Sequence, residues 1–460
     1  MKIPPWVYER IECITQIVVG NNQWAINRRA VLRRFLAHIW LHGEPTDEDG
    51  LGWTICTERD IRHFYHGLLG DCRLTVEGQL KKANLKAVLP TLADIDYDKG
   101  KKSQDVGKRK PSRWRFSPKR PDTDIGKLRL VDVDTGEVMT VKQIIQSNGK
   151  APSHEFGPIA VSQAGLKKQE KAWLKNVSPG RMHISFVRAL KSRVPDPYYR
   201  AGIRSLNHLY NAKFEGSYAV YDHCYRLTFG GRYYDQAFQN LPNELKAKFR
   251  AGLLNYDIQT CNLACLNLLF KRYNVNYQVS SSIYRKMMKK TGFTRKQCKS
   301  MVHATTYRVG KVTIGVSDGL GAKVCEWSEG DNKQALKILR WWNNYIEPLR
   351  EALETLVSQI QQQHQKSCRS HRNYHLYVND IGLTLDLNDE KYQRKQSYAQ
   401  NYARNKSLLA FMICGVEQAY IREVVRLNPG VVCMLDHDGL VAQQALKFPD
   451  WEGFKLEIKG

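Results

Sequence analysis

The chain is short of negative charge. Its 460 residues hold 45 Asp and Glu against 71 Lys and Arg, a formal net charge of +26 at pH 7. That excess argues against an ordinary metabolic enzyme and for a polyanionic partner, with nucleic acid expected ahead of an anionic membrane surface. No apolar run is long enough to span a bilayer, and Met1-Lys-Ile-Pro-Pro-Trp6 lacks the apolar core of a signal peptide. No Cys-x-x-Cys pair occurs among the 11 cysteines, and Cys265, Cys414 and Cys433 sit in apolar context. The expectation is a cytoplasmic protein with reduced thiols, no zinc site and no membrane partner. Internal repeats are absent, and low complexity is confined to residues 361–363. No Asp-x-Glu pattern in a nuclease-sized segment points to an exonuclease domain.

What is present suffices for two or three domains with real cores, since 42% of residues are apolar. Residues 1–120 read as a DNA-binding domain. Leu32, Phe35, Leu36, Ile39 and Trp40 have helical spacing, ended by Gly43. Thr57 and Asp60 suggest the capping of a second helix with Ile61, Phe64, Tyr65, Leu68 and Leu69 inward. A third helix is expected from Val76 to Leu89. An extended pair follows, Asp94 to Asp98 and Ser112 to Ser117, joined by a basic turn that includes Lys108 and Arg109 and flanked by Arg113 and Arg115. Three helices and a basic hairpin resemble a winged helix-turn-helix, with a small helical domain bearing a basic loop as the alternative. Residues 121–217 read as a hairpin turning at Asp134-Thr-Gly136, then a basic, thumb-like helical region from Gln163 to Tyr210 carrying Lys167, Lys168, Lys171, Lys175, Arg188, Lys191 and Arg193. Asp132 and Asp134 are better explained by the turn than by metal.

Residues 218–460 carry four chemical signals in order. Arg226-Leu-Thr-Phe-Gly-Gly-Arg232-Tyr-Tyr and Phe238-Gln239-Asn240-Leu-Pro242 offer donors to phosphates or base edges beside glycines that permit close approach. In Leu253-Leu-Asn-Tyr-Asp257-Ile-Gln-Thr-Cys-Asn262, an Asp ends an apolar strand ahead of a helical pattern. In Arg295-Lys-Gln-Cys-Lys299-Ser-Met-Val-His303-Ala-Thr-Thr-Tyr307, four side chains recur every fourth residue and stack on one helix face. That face suits a triphosphate, although alone it reads as a solvated stripe. Val431-Val-Cys-Met-Leu-Asp436-His437-Asp438-Gly439-Leu-Val is two apolar strands about a tight turn, from which Asp438 can approach Asp257.

Together these residues resemble the family A polymerases, meaning bacterial DNA polymerase I and the phage and mitochondrial single-subunit RNA polymerases. The likeness spans roughly the C-terminal half and implies an α+β, right-hand palm, fingers and thumb core. Asp257 falls on the motif A aspartate, Arg295, Lys299 and Tyr307 on motif B, and His437-Asp438 on motif C. Gly231-Arg232 and Gln239-Asn240-Leu-Pro242 resemble an upstream primer-contacting motif. The resemblance implies that Asp257 and Asp438 hold two Mg²⁺ ions, for which Mn²⁺ can substitute, with the Ile258 carbonyl joining the second ion. Arg295 and Lys299 would take the β- and γ-phosphates, Tyr307 would close over the templating site, His303 and Asn262 would flank the sugar, and Arg232 would grip primer or template. Departures are Arg308 after the motif B tyrosine, His303 in an aromatic or Met position, Asn262 in place of Glu or Gly, and Gly439 in place of an acid. The helix Leu408 to Arg422 lacks the family's Gln-Gly, with Cys414-Gly415 nearest.

The leading expectation is a DNA-directed DNA polymerase without proofreading, acting on DNA template and primer with nucleoside triphosphates. It would serve replication of a small plasmid or phage, recognise specific origin DNA, and start its own primers. A single-subunit RNA polymerase or primase is the alternative, and a non-catalytic origin-binding initiator a further one.

Overall fold

The computed structural model describes residues 1–19, 25–45, 52–55, 72–76, 79–83, 89, 94–98, 113–118, 128–149, 155–156, 173–192, 195–317, 319–368, 373–389, 397–436 and 438–459. The architecture is α+β, as expected. The chain divides into two compact units, each built from three segments. Unit 1 comprises Met1–His154, Pro179–Tyr225 and Asp235–Leu253; unit 2 comprises Glu155–Ser178, Arg226–Tyr234 and Leu254–Gly460. These boundaries differ from the expected divisions at 120 and 217. Among the described residues no helix is long and apolar enough to cross a membrane.

Unit 1 begins with strand β1 (Lys2–Ile3) and helices α1 (Pro5–Val19) and α2 (Ala25–His42). The two helices pack together and bury Val7, Ile11 and Ile14 on one and, at the anticipated spacing, Leu32, Phe35, Leu36, Ile39 and Trp40 on the other. Strands β2 (Glu44–Pro45), β3 (Gly52–Ile55), β6 (Ile95–Asp98) and β7 (Arg113–Phe116) form a sheet in the order β2-β3-β7-β6. Trp114 of β7 is buried 5.4 Å from Phe35, so the Arg-Trp-Arg segment anchors the sheet on α2 while Arg115 stays half-buried.

The third expected helix is overturned. Its start instead lies in an antiparallel hairpin of β4 (Cys72–Val76) and β5 (Gln79–Ala83). Arg-Leu-Thr-Val alternates polar and apolar residues and ends β-branched, which favours a strand over a helix turn. The winged-helix expectation loses that helix. Its second helix, Lys108 and Arg109 lie outside the described residues.

Strands β8 (Arg129–Asp132) and β9 (Val138–Thr140) form the expected hairpin, and β8 pairs with β1, tying this segment to the start of the chain. Gly136 adopts φ +74°, and the Asp132 carboxylate accepts from the Asp134 and Thr135 amides at 2.9 and 3.2 Å. Asp132 is therefore a turn residue. Helix α3 (Val141–Ser147) follows.

The expected basic helical region is interrupted. β10 (Glu155–Phe156) belongs to unit 2. β11 (Gly180–His183) then pairs with β13 (Tyr218–Asp222), whose other neighbour is β12 (Tyr210–Glu215). Pro179 and Gly180 end any helix there, and a Cβ on Gly180 would lie 2.2 Å from the Tyr221 ring. Helices α4 (Ser185–Lys191), α5 (Asp196–Asn207) and α6 (Asn243–Phe249) complete unit 1. Lys167, Lys168, Lys171 and Arg193 lie outside the described residues.

Unit 2 is organised on a seven-stranded sheet, order β10-β14-β15-β19-β20-β16-β21, with β14 (Tyr225–Leu227), β15 (Tyr233–Asp235), β16 (Leu254–Ile258), β19 (Val432–Asp436), β20 (Gly439–Ala442) and β21 (Leu456–Ile458). Helices α7 (Cys261–Arg272), α8 (Ser282–Thr291), α9 (Arg295–Thr306), α10 (Gly319–Trp327), α11 (Asn332–Tyr345) and α12 (Glu347–Ser367) follow β16. A short hairpin, β17 (Leu376–Val378) and β18 (Thr384–Asp386), precedes the long α13 (Ser397–Leu427). α13 packs on α7 and buries Leu408, Phe411, Met412, Val416, Tyr420 and Val424.

Candidate active site

Strand β16 buries Asn255, Tyr256 and Ile258 and leaves Asp257 partly exposed. Thr260 then takes φ +50°, a left-handed turn that directs the chain into α7. On the neighbouring strands, Asp436 pairs with Gly439 across the tight turn, and Gly439 pairs with Asp257. The Ile258 amide donates to the Asp438 carbonyl at 3.1 Å, which fixes Asp438 beside Asp257. A Cβ on Gly439 would lie 2.8 Å from the Tyr256 carbonyl oxygen and 3.2 Å from that of Asp436. Close strand approach therefore accounts for glycine where the resemblance leads one to expect an acid.

Both carboxylates are perturbed, each by burial and by a second negative charge. Burial and then the Asp438 charge push Asp257 above the usual carboxylate range, opposed by Lys459 and Lys299. Burial and then the Glu417 charge push Asp438 up, opposed by Lys299 and Arg232. Among the described residues no group of three or more His, Cys, Asp or Glu forms a closed metal site. Asp257 and Asp438 are instead an open oxygen pair, the donor type suited to a hard divalent cation that keeps positions for water or substrate. The excess negative charge at the pair, Asp438 acting on Asp257 and Glu417 on Asp438, is the observation that fits such an ion.

Helix α9 starts with a capping box between Thr294 and Gln297. Cys298, Met301, Val302 and Thr305 form its buried face, and the Trp342 indole donates to the Thr305 hydroxyl at 2.9 Å. Arg295 is exposed, while Lys299, His303 and Tyr307 are half-buried. The Lys299 charge acts on both aspartates and on His303. Burial, Lys299 and Arg232 lower His303 to about 4, so its ring is neutral at pH 7, and its Nε2 is buried without a hydrogen-bond partner. The Asn262 amide NH₂ donates to the Tyr307 hydroxyl at 2.9 Å, leaving Asn262 Oδ1 buried and unpartnered. Burial foremost raises the Tyr307 phenol, keeping it protonated.

A cavity of about 720 Å³ adjoins this face. Arg295, Arg285, Lys455, Gln259, Thr260 and Tyr284 line it, and no carboxylate is among its described lining residues. Arg295 sits 5.6 Å from the Tyr284 ring centroid, a cation–π contact that orients the guanidinium. The volume suits a small polar ligand and the charge suits an anion.

Arg232 is paired within unit 2. Its Nε and a terminal nitrogen donate to the two Glu417 carboxylate oxygens at 2.7 and 2.5 Å. Burial alone would lower the guanidinium, but the Glu417 charge more than reverses this and holds it above its ordinary value. The guanidinium is thus held by a buried carboxylate. Sequence reasoning missed Glu417, although Glu417-Gln418 interrupts the otherwise apolar Leu408 to Ile421. It also missed Lys459, which ion-pairs with Asp257.

The structure thus gathers Asp257, Ile258, Asn262, Lys299, His303, Tyr307 and Asp438, with Arg232 behind them and Arg295 at the cavity. Gln239 and Asn240 belong to unit 1, where Gln239 is buried with its amide atoms unpartnered and Asn240 is exposed. Arg113 and Arg115 also lie in unit 1, on β7. His437 lies outside the described residues.

No family model matches the chain, and no curated protein matches it. Among solved structures the chain is similar to the POL domain of Pol1 from M. smegmatis in complex with DNA primer-template and dNTP. The two share 13% identity at a TM-score of 0.35, over 55% of this chain and 46% of that one. The chain thus matches less than half the length of that neighbour.

Proposed function

We propose that this protein is a template-directed nucleotidyltransferase, a DNA-directed DNA polymerase, with its catalytic centre in unit 2. One observation carries the reading: Asp257 of β16 lies beside Asp438 in the β19–β20 turn, whose carbonyl accepts from the Ile258 amide, with Lys299 of α9 acting on both. In this reading the seven-stranded sheet is the palm and α8 and α9 belong to the fingers. Asp257, Asp438 and the Ile258 carbonyl would hold two Mg²⁺ ions, or Mn²⁺ in their place. Bound there, the ions would activate a primer 3′-hydroxyl and neutralise the triphosphate.

The chain's own groups do the rest. Arg295, Arg285 and Lys455 draw the phosphates into the cavity, and Lys299 stabilises charge on the departing pyrophosphate and can give it a proton. Neutral His303 and the linked Asn262 and Tyr307 face sugar and base. The excess of Lys and Arg supplies affinity for a DNA duplex without reading its sequence. Origin recognition by unit 1, through Arg113 and Arg115, and replication of a small plasmid or phage complete the reading.

A second reading, an RNA polymerase or primase, draws on Asn262. Its unpartnered buried Oδ1 is an acceptor that a sugar hydroxyl would satisfy. The presence of Asp257, Lys299, Tyr307 and Asp438 in one unit favours a catalytic reading over a non-catalytic initiator.

The test is extension of a labelled primer, and separately of an unprimed template, with dNTPs or NTPs in Mg²⁺ or Mn²⁺. Primed dNTP incorporation is expected. Strong preference for NTPs promotes the second reading, and no incorporation under any condition overturns both.

A further inference from the structure

Three carboxylates meet three cations in unit 2: Asp257, Asp438 and Glu417 against Lys459, Lys299 and Arg232. They are held very differently. Arg232 is locked to Glu417 by two hydrogen bonds. Lys299 lies half-buried on α9. Lys459 sits just beyond β21, where its amide donates to the Asn255 carbonyl at 2.8 Å. β21 pairs with β16 so that Glu457 lies opposite Asp257. Continuing that register places Lys459 diagonally across from Asp257 on the same sheet face, within reach of a long side chain. There its ammonium pairs with Asp257 Oδ2, while the Lys459 side chain keeps 53% of its exposure. The Glu457 carboxylate is drawn instead toward the Gln259 amide, at 3.4 Å.

A lysine ammonium on a flexible, half-exposed stem can leave its partner at little cost, as an arginine held bidentately by a buried carboxylate cannot. The oxygen it covers belongs to the pair that the proposed function gives to divalent ions. We propose that Lys459 is a displaceable internal cation of the active site, which neutralises Asp257 and competes with divalent cations for it. This rests on the metal-binding reading of Asp257 and Asp438. Lys459 is thus a positioning residue that sets how much metal the protein needs.

The test is Mn²⁺ binding to the full-length protein, without DNA or nucleotide, by calorimetry or by loss of the free-ion electron paramagnetic resonance signal. Lys459→Gln is expected to bind Mn²⁺ about three- to tenfold more tightly than wild type at low salt, the gain shrinking as salt rises. Lys459→Arg, which keeps the charge, is expected to stay near wild type, and Asp257→Asn to lose the binding. Circular dichroism confirms that each variant is folded, and Lys459→Met serves as a second neutral variant. Unchanged or weaker Mn²⁺ binding in both neutral variants, with binding lost in Asp257→Asn, overturns the competition and leaves the metal site standing. Wild-type affinity in Asp257→Asn overturns the metal site and this inference with it.

Discussion

At the scale of single residues, the site separates chemistry from affinity. Asp257→Ala and Asp438→Ala are expected to remove nucleotide incorporation while DNA binding, measured by fluorescence anisotropy, stays near wild type. Near-normal extension by either variant in Mg²⁺ contradicts the catalytic role. Lys299→Ala is expected to slow incorporation by roughly 10²–10³-fold, the scale for removing one electrostatic stabiliser of a transition state. Arg295→Ala, at the cavity mouth, is expected chiefly to raise the nucleotide KM; unchanged kinetics in both return this helix face to a merely solvated stripe. Asn262 governs sugar choice. Its NH₂ is taken by Tyr307, and its free Oδ1 is an acceptor. A hydroxyl that gains such a partner avoids a desolvation cost of about 1–3 kcal/mol. In this reading the bulk of the Asn262 side chain beside C2′ outweighs that gain, so wild type is expected to prefer dNTPs moderately and to use NTPs detectably. Asn262→Glu should suppress NTP use, and Asn262→Gly should raise it relative to dNTP. Equal NTP-to-dNTP ratios across the three remove Asn262 from sugar selection.

At the scale of elements, what was legible followed period and punctuation. An apolar strand ending in Asp257 and a stripe of period four from Arg295 to Tyr307 are local patterns, and β16 and α9 appear where those patterns place them. The β4–β5 hairpin and β11 escape local pattern because basic composition there also suits an exposed helix face, whereas strand pairing fixes both segments. Glu417 and Lys459 were beyond local reading altogether. Their partners Arg232 and Asp257 lie far away in the sequence, and only packing joins them. The turn that bears Arg232 is bound to α13 closely enough that a Cβ on Gly230 would lie 2.3 Å from the Cβ of Cys414. Glu417→Gln leaves a half-buried guanidinium without its buried counter-charge and is expected to cost about 2–3 kcal/mol of stability, read as a lower urea midpoint. The double change Arg232→Met with Glu417→Leu should recover much of that loss. A double variant no more stable than Glu417→Gln shows that the pair is not the source.

At the scale of the whole molecule, the chain's division bears on how its parts can be tested. The sequence suggested a detachable DNA-binding domain ending near Pro121. Unit 1 instead takes in Pro179–Tyr225 and Asp235–Leu253, and its first strand is stitched to later segments. Lys2 and Ile3 pair with Asp132 and Val131 of β8. The Asn207 side chain accepts from the Lys2 amide at 2.7 Å and donates to its carbonyl at 2.8 Å. The Lys2 ammonium, which burial pushes below its ordinary value, bonds to Asn148. Deleting residues 1–120 removes β1, α1 and α2 together, exposing the apolar faces of β8 and α5 that they cover. The shortened protein is expected to be cut within 128–253 by low concentrations of protease that leave the full chain intact, with fragments identified by mass spectrometry. Loss of extension in such a deletion would reflect a broken fold, so origin recognition is better tested by Arg113→Ala with Arg115→Ala. A deletion product that resists protease like the full chain would restore the detachable domain and contradict the stitched architecture of unit 1.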